Sequence, residues 1–585
     1  MKTGATMQDV RRDLDAHERA MAALFPAGKD WFHTDPMPLA DQVAASTRRP
    51  LLFLFGAVML VLLIACSNVA NLLLARSTVR EREFSLRAAL GASRQRIVRQ
   101  VLTESVVLSV MGAAAGLALA QAVIRFAIVY GPRDIPRLRE AALDLRAFAF
   151  ALAAGCVTAI LFGIAPAFAA GSRDASEPLK RAGGRTIGAS GAGIRRFLLA
   201  AEIAVALMLV VAGGLITRTF YRMAKVDPGF QPEHALTFEL SLPALKYPDA
   251  AAAARLYDNV RARLAALPGV EAVGIVETIP MAGATDATAL RFPDRPVAGG
   301  RNRGFADYTV ASPGYLRAAG TPLLRGRDFL ETDDGSRPPV TIINSTMAKK
   351  YWPNDDPIGQ KVGPGSTKYP VATVIGIAAD VKHLSLRDEP QPEMYVPYAQ
   401  KVYPSLLVMN AIVRTRVDPE SIAGACRTAV QAADPYLPIA SVETLTGIVD
   451  DSLTAQRFAM LLLAAFGAIA VLLASVGLYG LVAYSVGQRT QEIGIRMALG
   501  ASRGEIFRLI FREGTRSALP GVAAGLALAV VASRLLVRFL YGVRPLDPVT
   551  FSLVPLLLLL VVLGASAVPA RRATRLDPLV ALRTE

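Results

Sequence analysis

Residues 80–100 read REREFSLRAALGASRQRIVRQ, and residues 489–509 read RTQEIGIRMALGASRGEIFRL. The two strings align without a gap at an offset of 409, and the match extends over 80–120 and 489–529. Shared apolar composition cannot produce identity in a polar string, so the match predicts an internal duplication. The identical charged residues are Arg80, Glu83, Arg87, Arg94 and Arg99 in the first copy and Arg489, Glu492, Arg496, Arg503 and Arg508 in the second.

Long apolar blocks surround both copies. A helix needs about 20 largely apolar residues to cross the hydrocarbon core of a bilayer. The stretches that meet this requirement are 52–75, 103–130, 147–170, 197–217, 458–485, 516–541 and 549–570. They predict a polytopic α-helical membrane protein with about seven transmembrane helices, in which a three-helix module occurs twice.

The stretch 219–456 separates the fourth apolar block from the fifth and has a different pattern. Short β-rich runs such as VTIINS (340–345) alternate with amphipathic helical stretches, which is typical of an α+β or α/β domain. With about 240 residues it is long enough to bury a core of its own. It contains no acid pair, nucleophile triad or metal-ligand spacing, so the sequence predicts no catalytic residues and no enzyme activity.

Positive charge is concentrated in four short segments between the predicted spans. Lys and Arg outnumber Asp and Glu by seven to two in 76–100, six to two in 171–196, six to three in 486–517 and four to two in 569–585. Loops that stay in the cytoplasm retain Lys and Arg. These segments are therefore predicted on the cytoplasmic side of the inner membrane, and the nearly balanced stretch 219–456 outside.

Several classes of function are disfavoured by the same sequence. The formal charge of +16 lies in loops between spans rather than on a basic stripe, so nucleic-acid binding is not expected. The three cysteines and four histidines lie far apart, which predicts neither disulfides nor a metal site. GPGSTK (363–368) lacks the spacing of a phosphate-binding loop, so the chain is expected to bind no ATP itself.

The repeated string ALGASR lies where one helix is predicted to end and another to begin. In each copy a Glu precedes an Arg by four residues, which places the pair on one helix face. One interpretation is a solvated helix with a local ion pair worth about 0.3–0.5 kcal/mol. The other is a short elbow on which a cytoplasmic partner docks, and its recurrence favours this interpretation. The residues assigned to coupling are Glu83, Arg87, Gly91 and Arg94, with Glu492, Arg496, Gly500 and Arg503.

Two features inside the spans stand out. Gly112 with Gly116 and Gly521 with Gly525 have the small-xxx-small spacing that allows close helix contact, and we interpret them as packing residues. Glu202 is an ionisable residue near the inner end of the fourth span. It is either functional, as intramembrane charges usually are, or close enough to the interface to reach water.

The ALGASR repeat, an outer domain after a lone span and the ending PARRATRLDPLVALR (569–583) together resemble the MacB/FtsX-type ABC transporter permeases, particularly the duplicated MacB-like group. Residues 314–362 resemble the periplasmic core domain of that family. The resemblance implies a remnant of a periplasmic domain over 1–49, a first FtsX-like module over 50–171, a cytoplasmic linker over 172–196, a transmembrane helix over 197–218, the MacB-like periplasmic core domain over 219–456, a second module over 457–571 and a cytoplasmic tail over 572–585. Compared with the duplicated pattern, a leading span and most of a first periplasmic domain are missing, which leaves open whether Met1 is the natural start.

The resemblance also implies a function. A separate cytoplasmic ABC ATPase would bind the ATP, contact the two elbows and drive movement of the periplasmic domain, for export or extraction of a hydrophobic or peptide-like substrate. A periplasmic adaptor and a second permease chain remain open as partners besides the lipid bilayer. The alternative is a regulatory permease that transmits ATPase motion to a periplasmic hydrolase or sensor without moving a solute.

Overall fold

The computed structural model describes residues 6–24, 36–38, 52–69, 71, 94–130, 142, 144–145, 147–151, 153, 188–283, 285–294, 304–365, 369–400 and 406–574. Contacts divide the chain into two compact units. One unit comprises Met1–Met37 and Met223–Thr454, and the other comprises Pro38–Arg222 and Ala455–Glu585.

The described helices are α1 (Met7–Leu24), α2 (Leu52–Val69), α3 (Arg94–Tyr130), α4 (Gly188–Met223), α5 (Ala250–Ala265), α6 (Tyr315–Ala319), α7 (Ser345–Tyr351), α8 (Ala423–Ala433), α9 (Leu445–Ser452), α10 (Thr454–Gln488), α11 (Thr490–Ala498), α12 (Arg503–Leu535) and α13 (Pro548–Ala573). The strands are β1 (Ala235–Ser241), β2 (Val270–Val276), β3 (Asp286–Arg291), β4 (Phe305–Ala311), β5 (Leu323–Gly326), β6 (Val340–Asn344), β7 (Lys361–Pro364), β8 (Ala372–Ala378), β9 (Glu393–Pro397), β10 (Val408–Thr415) and β11 (Ile439–Thr444).

The second unit is a bundle of apolar helices. Within the described residues, five segments are long and apolar enough to cross a membrane, namely α2, Arg195–Met223 of α4, α10, α12 and α13. A shorter apolar stretch, Val110–Phe126, lies within α3. The span predicted over 147–170 lies almost wholly outside the described residues, so the count of seven stays a prediction. The protein is a polytopic helical membrane protein.

Helix α4 lies at the centre of this bundle. In its most apolar window 72% of the residues are buried, against 28% or less in the other four long apolar helices. Glycines bring the neighbouring helices close, because Gly213 faces the backbone of Leu463 in α10 and Gly214 faces Thr550 in α13. Close backbone approach of this kind is how helices associate where lipid removes the hydrophobic driving force.

The two copies of the module meet at equivalent positions. The offset of 409 carries position 68 in α2 onto position 477 in α10, and Asn68 Oδ1 would stand 2.6 Å from a Cβ added to Gly477. The Asn68 amide nitrogen also donates a hydrogen bond of 2.9 Å to the Leu473 carbonyl, one turn earlier in α10. In a two-fold arrangement a residue meets its own equivalent only near the axis. A contact between equivalent positions is what an approximate two-fold relation of the two modules would place beside its axis.

The first unit contains an α+β domain whose framework is a split βαβ fold. Strands β11, β1, β10 and β2 lie side by side in that order and are all antiparallel. Helix α5 connects β1 to β2, the short helix α8 lies between β10 and β11, and the two helices pack together. Two interleaved βαβ units of this kind form the ferredoxin-like arrangement.

The remaining strands belong to an insertion between β2 and β10. The sheet continues from β2 through β4, β3, β7, β8 and β6 to β9, and β9 returns to pair with β4. The pairs β6–β8 and β4–β9 are parallel, and the others are antiparallel. The sheet is therefore mixed.

Helix α5 illustrates how the sequence forms this domain. Asp249 caps its N-terminus by accepting a hydrogen bond of 2.7 Å from the Ala252 amide. Its buried residues recur at three- and four-residue intervals, which places one apolar stripe against the sheet. Tyr257 on this stripe is fully buried and donates a hydrogen bond of 2.6 Å to the Leu406 carbonyl.

Candidate functional site

The second elbow comprises residues 489–509 and includes helix α11. This helix ends in a Schellman motif. The Gly500 amide donates to the Met497 carbonyl (3.1 Å), and the Ala501 amide donates to the Arg496 carbonyl (2.9 Å). Gly500 has φ +98°, a conformation that is costly for residues with a Cβ. Glycine is therefore required here by the backbone conformation, since no described atom lies within 4 Å of a Cβ added at this position.

A new helix begins two residues later. Ser502 is the N-cap of α12, and Glu505 completes a capping box, because each side chain accepts a hydrogen bond from the backbone amide of the other. Only four residues, Leu499 to Ser502, lie between α11 and α12. Since both helix ends are satisfied by the turn itself, the elbow is a rigid corner rather than a free loop.

Charged residues hold the base of the elbow. Arg489 lies 3.1 Å from Glu513 of α12, and Arg196 of α4 lies 3.8 Å from the same carboxylate. Glu492 and Arg496 form an ion pair of 2.7 Å that is half exposed. An exposed pair of this kind contributes little to stability, so the charges are available to a partner. Arg503 lies exposed at the start of α12.

The tip of the elbow is apolar. Leu499 is 83% exposed and Ile495 is 45% exposed, next to the pair Glu492–Arg496. The sequence pattern pointed to the charges and the glycine of the elbow, and this leucine was missed. The available signal was its recurrence as Leu90 at the same offset of 409. An exposed leucine surrounded by charges has the composition of an interface anchor with a polar rim.

Two of the predicted packing glycines lie against α4. A Cβ added to Gly521 would stand 2.7 Å from the Ala200 carbonyl oxygen, and one added to Gly525 would stand 2.9 Å from that of Ala204. Side chains at these positions would push α12 away from α4. The elbow thus continues into a helix that touches the centre of the bundle directly.

Comparisons with known proteins agree with this geometry. The model described as FtsX-like permease C-terminal matches residues 55–175 and 464–578, whose starting points differ by the same 409. The model described as MacB-like periplasmic core domain matches residues 197–445. The chain is a MacB/FtsX-type permease.

Similar curated proteins are longer than this permease. The pyoverdine export ATP-binding/permease protein PvdT of Pseudomonas putida is 30% identical over 281 residues, which cover 45% of this chain and 41% of that protein. The macrolide export ATP-binding/permease protein MacB of Azoarcus sp. is 27% identical over 288 residues, covering 46% and 41%. The chain therefore spans about two fifths of the length of these relatives. The crystal structure of the periplasmic region of MacB from Actinobacillus actinomycetemcomitans has 14% identity and a TM-score of 0.27, covering 39% of this chain and 96% of that one.

The first elbow of the permease lies mostly outside the described residues. This applies to Glu83, Arg87 and Gly91, while Arg94 begins helix α3. Gly112 and Gly116 lie within α3, where no described atom comes within 4 Å of an added Cβ. A packing role for these two glycines therefore stays a prediction, in contrast to the contacts of Gly521 and Gly525.

Glu202 lies within α4 and is fully buried. Its carboxylate faces Gly477 of α10, beside Asn68 of α2. The alternative in which this side chain reaches the membrane interface is therefore wrong, because neighbouring helices enclose it.

The extracytoplasmic domain of the permease buries one histidine. His383 Nε2 lies 3.0 Å from Glu393 Oε1, at an angle that departs from that of a hydrogen bond. Glu393 accepts hydrogen bonds from the Thr309 hydroxyl (2.8 Å) and the Tyr395 hydroxyl (2.7 Å). Among the described residues no group of three or more His, Cys, Asp or Glu side chains is placed to hold a metal ion.

Proposed function

We propose that this permease couples ATP hydrolysis in a separate ABC-type ATPase to movement of its extracytoplasmic domain, for export or extraction of a hydrophobic or peptide-like substrate. The observation that carries the proposal is the exposed Leu499 on a rigid corner between two helices. Single exposed apolar residues are common on protein surfaces. Leu499 differs in that it stands at the tip of a repeated rigid corner, beside the exposed Ile495 and a rim of charges.

The composition of the elbow fits a docking partner with an apolar groove and a charged rim. Leu499 would enter the groove and lose its exposure to water. Glu492, Arg496 and Arg503 would lie at the rim, where charges set the orientation and the association rate more than the affinity. The capped helix ends favour this arrangement, because a corner that is already ordered loses little entropy on binding.

A separate ATPase is the partner that the family relationship favours. The relatives PvdT and MacB are named ATP-binding/permease proteins, and this chain matches about two fifths of each. The 585 residues contain no phosphate-binding loop of the GxxxxGK[ST] type. We therefore assign ATP binding to an ABC-type ATPase outside these 585 residues.

A path from the elbow to the extracytoplasmic side runs through close helix contacts. Force on α11 would reach α12 across the turn at Gly500, and then α4 through the Gly521 and Gly525 contacts. The salt bridges of Glu513 with Arg489 and Arg196 join the same helices at their base. Helix α4 ends at Met223, where the chain enters the extracytoplasmic domain. Because the backbones of α12 and α4 are in direct contact at these small residues, a displacement of α12 would move α4 with it.

Association with the ATPase tests the proposal. Leu499→Asp should weaken co-purification with a co-expressed ATPase roughly thirtyfold, because loss of an apolar anchor costs about 2 kcal/mol. The double change Glu492→Ala and Arg496→Ala should mainly slow association. Leu245→Asp is the matched control, since this leucine is fully exposed in the extracytoplasmic domain. Unchanged association of a correctly inserted Leu499→Asp protein would overturn the docking assignment.

Export is favoured over a purely regulatory role because both curated relatives are named exporters. A strain without the permease should become more sensitive to hydrophobic toxic compounds, and the wild-type gene should restore resistance. If sensitivity does not change while the activity of a cell-wall hydrolase or a sensor falls, the regulatory alternative replaces export.

A further inference from the structure

A group of polar side chains lies inside the membrane unit, beside the contact of Asn68 with Gly477. Glu202 of α4 is fully buried, and Ser67 and Asn68 of α2 are buried next to it. Both carboxylate oxygens of Glu202, the Ser67 hydroxyl and the Asn71 side-chain oxygen are buried and make no hydrogen bond of good geometry among the described residues, although the Ser67 hydroxyl lies close enough to Glu202 to interact with it. Unpaired polar atoms are costly in the interior of a membrane protein, so this cluster requires an explanation.

The orientation of Asn68 identifies what is missing. Its amide nitrogen donates to the Leu473 carbonyl (2.9 Å), which turns its Oδ1 toward Gly477. A Cβ added to Gly477 would stand 2.6 Å from this Oδ1 and closer still to Glu202 Oε2. Two oxygen acceptors thus approach the same small space. Such an arrangement is repulsive for an ionised carboxylate and favourable for a protonated one, which donates from Oε2 to Asn68 Oδ1.

A small cavity borders this cluster at Asn68 and Gly477, and Glu202 itself does not line it. It measures about 30 Å³, which is enough space for at least one water molecule. Its walls include Asn68, Asn71, Gly477, Gly480, Tyr484 and Arg195. Arg195 is seven residues before Glu202 on the same helix face, about 10 Å along the axis. The cavity therefore extends the polar cluster toward the side of the membrane opposite the extracytoplasmic domain.

The polar and charged side chains around Glu202 come from three helices. Helix α2 contributes the neutral Ser67, Asn68 and Asn71, and α10 contributes Tyr484. Helix α4 itself contributes Arg195, whose guanidinium lies 4.3 Å from the centre of the Tyr484 ring.

Two other helices pack on α4. Helix α12 meets α4 at Ala200 and Ile203, on either side of Glu202 in sequence, through Gly521, and α13 meets α4 at Gly214. The acidic residue of α12 near this end, Glu513, already pairs with Arg489 and Arg196. None of the described groups is a cation in contact with Glu202.

We propose that Glu202 is a proton-binding carboxyl group that exchanges its proton with the side of the membrane opposite the extracytoplasmic domain, through the cavity between Asn71 and Arg195. One proton binds to Oε2, and the resulting O–H donates a hydrogen bond to Asn68 Oδ1. When this proton leaves to water, Glu202 becomes a carboxylate. The cavity has space for only a few water molecules, and the described part of the cluster contains one carboxylate. Both properties suit a proton better than a metal cation with its shell of five or six oxygen ligands. The proposal is independent of the ATPase, since it concerns the permease alone.

Infrared difference spectroscopy of the full chain in lipid nanodiscs tests this proposal. Between acidic and alkaline buffer, the wild-type protein should show a carbonyl band of a protonated carboxylic acid that decreases at alkaline pH and shifts in ²H₂O. Glu202→Gln should remove this band, and it retains the size of the side chain and an N–H that can donate to Asn68. Glu513→Gln is the matched control and should keep the band, because Glu513 is ion-paired. A band that persists in Glu202→Gln would overturn the proposal.

Two further variants test the geometry without removing the carboxyl group. Asn68→Leu should shift the band to higher frequency, because the hydrogen-bond acceptor is lost. Asn71→Leu should slow the hydrogen–deuterium exchange of the band several-fold, because the cavity is then blocked. An unchanged frequency in Asn68→Leu would contradict the proton position, and unchanged exchange in Asn71→Leu would contradict the route. If the carboxylate signal responds to sodium ions and not to pH, Glu202 binds a metal cation and the proton proposal is wrong.

Discussion

At the residue scale, His383 and Glu393 form a buried charge pair in the described part of the extracytoplasmic domain. Burial alone would lower the pKa of His383, but the Glu393 carboxylate and the nearby Asp307 raise it on balance. Burial alone would raise the pKa of Glu393, yet His383 and the hydroxyls of Tyr395 and Thr309 hold it below its usual value. Each partner therefore favours the ionised form of the other.

The stability of this domain is expected to have a maximum in mildly acidic solution. A raised His pKa contributes stability in full below the ordinary value of 6.5, and this is lost as the pH rises through the folded-state pKa. A lowered Glu pKa contributes above the ordinary value of 4.5, and this is lost as the pH falls. Hydrogen exchange of β4 and β9, corrected for intrinsic rates, should therefore be slowest between these two values.

Removal of one partner checks the same assignment. Glu393→Gln should reduce the free energy of unfolding of the domain by about 3 kcal/mol, because a buried His loses its counter-charge. It should also flatten the pH dependence at both ends. Glu389→Gln changes an exposed glutamate close by in sequence and should alter neither quantity. A pH profile that is the same in Glu393→Gln and in the wild type would contradict the pairing.

Gly500 is the residue on which the conformation of the second elbow depends. Gly500→Ala should destabilise the turn by about 1–2 kcal/mol, because its φ of +98° is unfavourable for a residue with a Cβ. Gly504→Ala is the matched control, since Gly504 lies in the first turn of α12 with an uncrowded Cβ position, and it should be neutral or stabilising. Hydrogen exchange of peptides over 489–509 measures both changes, and equal protection in the two variants would contradict the strained turn.

At the element scale, the contact of α12 with α4 depends on two glycines that lie one turn apart. The backbones touch where a Cβ would meet the carbonyl oxygens of Ala200 and Ala204. Overpacking at such a contact typically costs about 1–3 kcal/mol because neither helix can move freely. The spacing Gly521-xxx-Gly525 indicated close packing from sequence, but the choice of α4 as partner required the structure.

Gly521→Ala should therefore lower the thermal stability of the membrane unit, with an expected loss of about 2 kcal/mol. Gly564→Ala provides the control, since this glycine lies in α13 with no described atom within 4 Å of an added Cβ. Thermal unfolding in detergent, followed by thiol labelling of the half-buried Cys66, measures both variants. Equal midpoints for Gly521→Ala and Gly564→Ala would contradict the close contact.

At the scale of the whole molecule, the duplication places two versions of one module in a single chain. Their contact at Asn68 and Gly477 joins equivalent positions that carry different residues, so the two copies differ at the place where they meet. A homodimer would have to place the same residue on both sides. Fusion of the copies therefore permits a glycine to face an asparagine, which is the arrangement that leaves room for Glu202.

The two elbows predict two docking sites on one chain. Native mass spectrometry should show one permease chain with two ATPase subunits. Leu90→Asp or Leu499→Asp alone should weaken one of the two sites, and the double variant should lose both. A complex of two permease chains with two ATPase subunits would contradict the internal pairing of modules.

Much of the candidate site could be predicted because its chemistry is local. Gly500 and Ser502 mark a helix end and a helix start through the conformations of single residues, and the structure has both. Leu499 was missed because an apolar residue at a helix end is buried or exposed according to what surrounds it. The topology of the extracytoplasmic domain could not be predicted from the sequence either, since the insertion between β2 and β10 separates these paired strands by more than 100 residues.

The sequence by itself determined the duplication, the membrane class and the family, because composition, hydrophobic length and a repeated polar string are properties of the chain alone. Only the tertiary structure decided that Glu202 lies beside Asn68 and Gly477, that His383 faces Glu393 and that α12 packs on α4. The physical reason is that these contacts join residues far apart in sequence. Their energies depend on burial and on the directions of side chains, which exist only once the helices and strands have packed together.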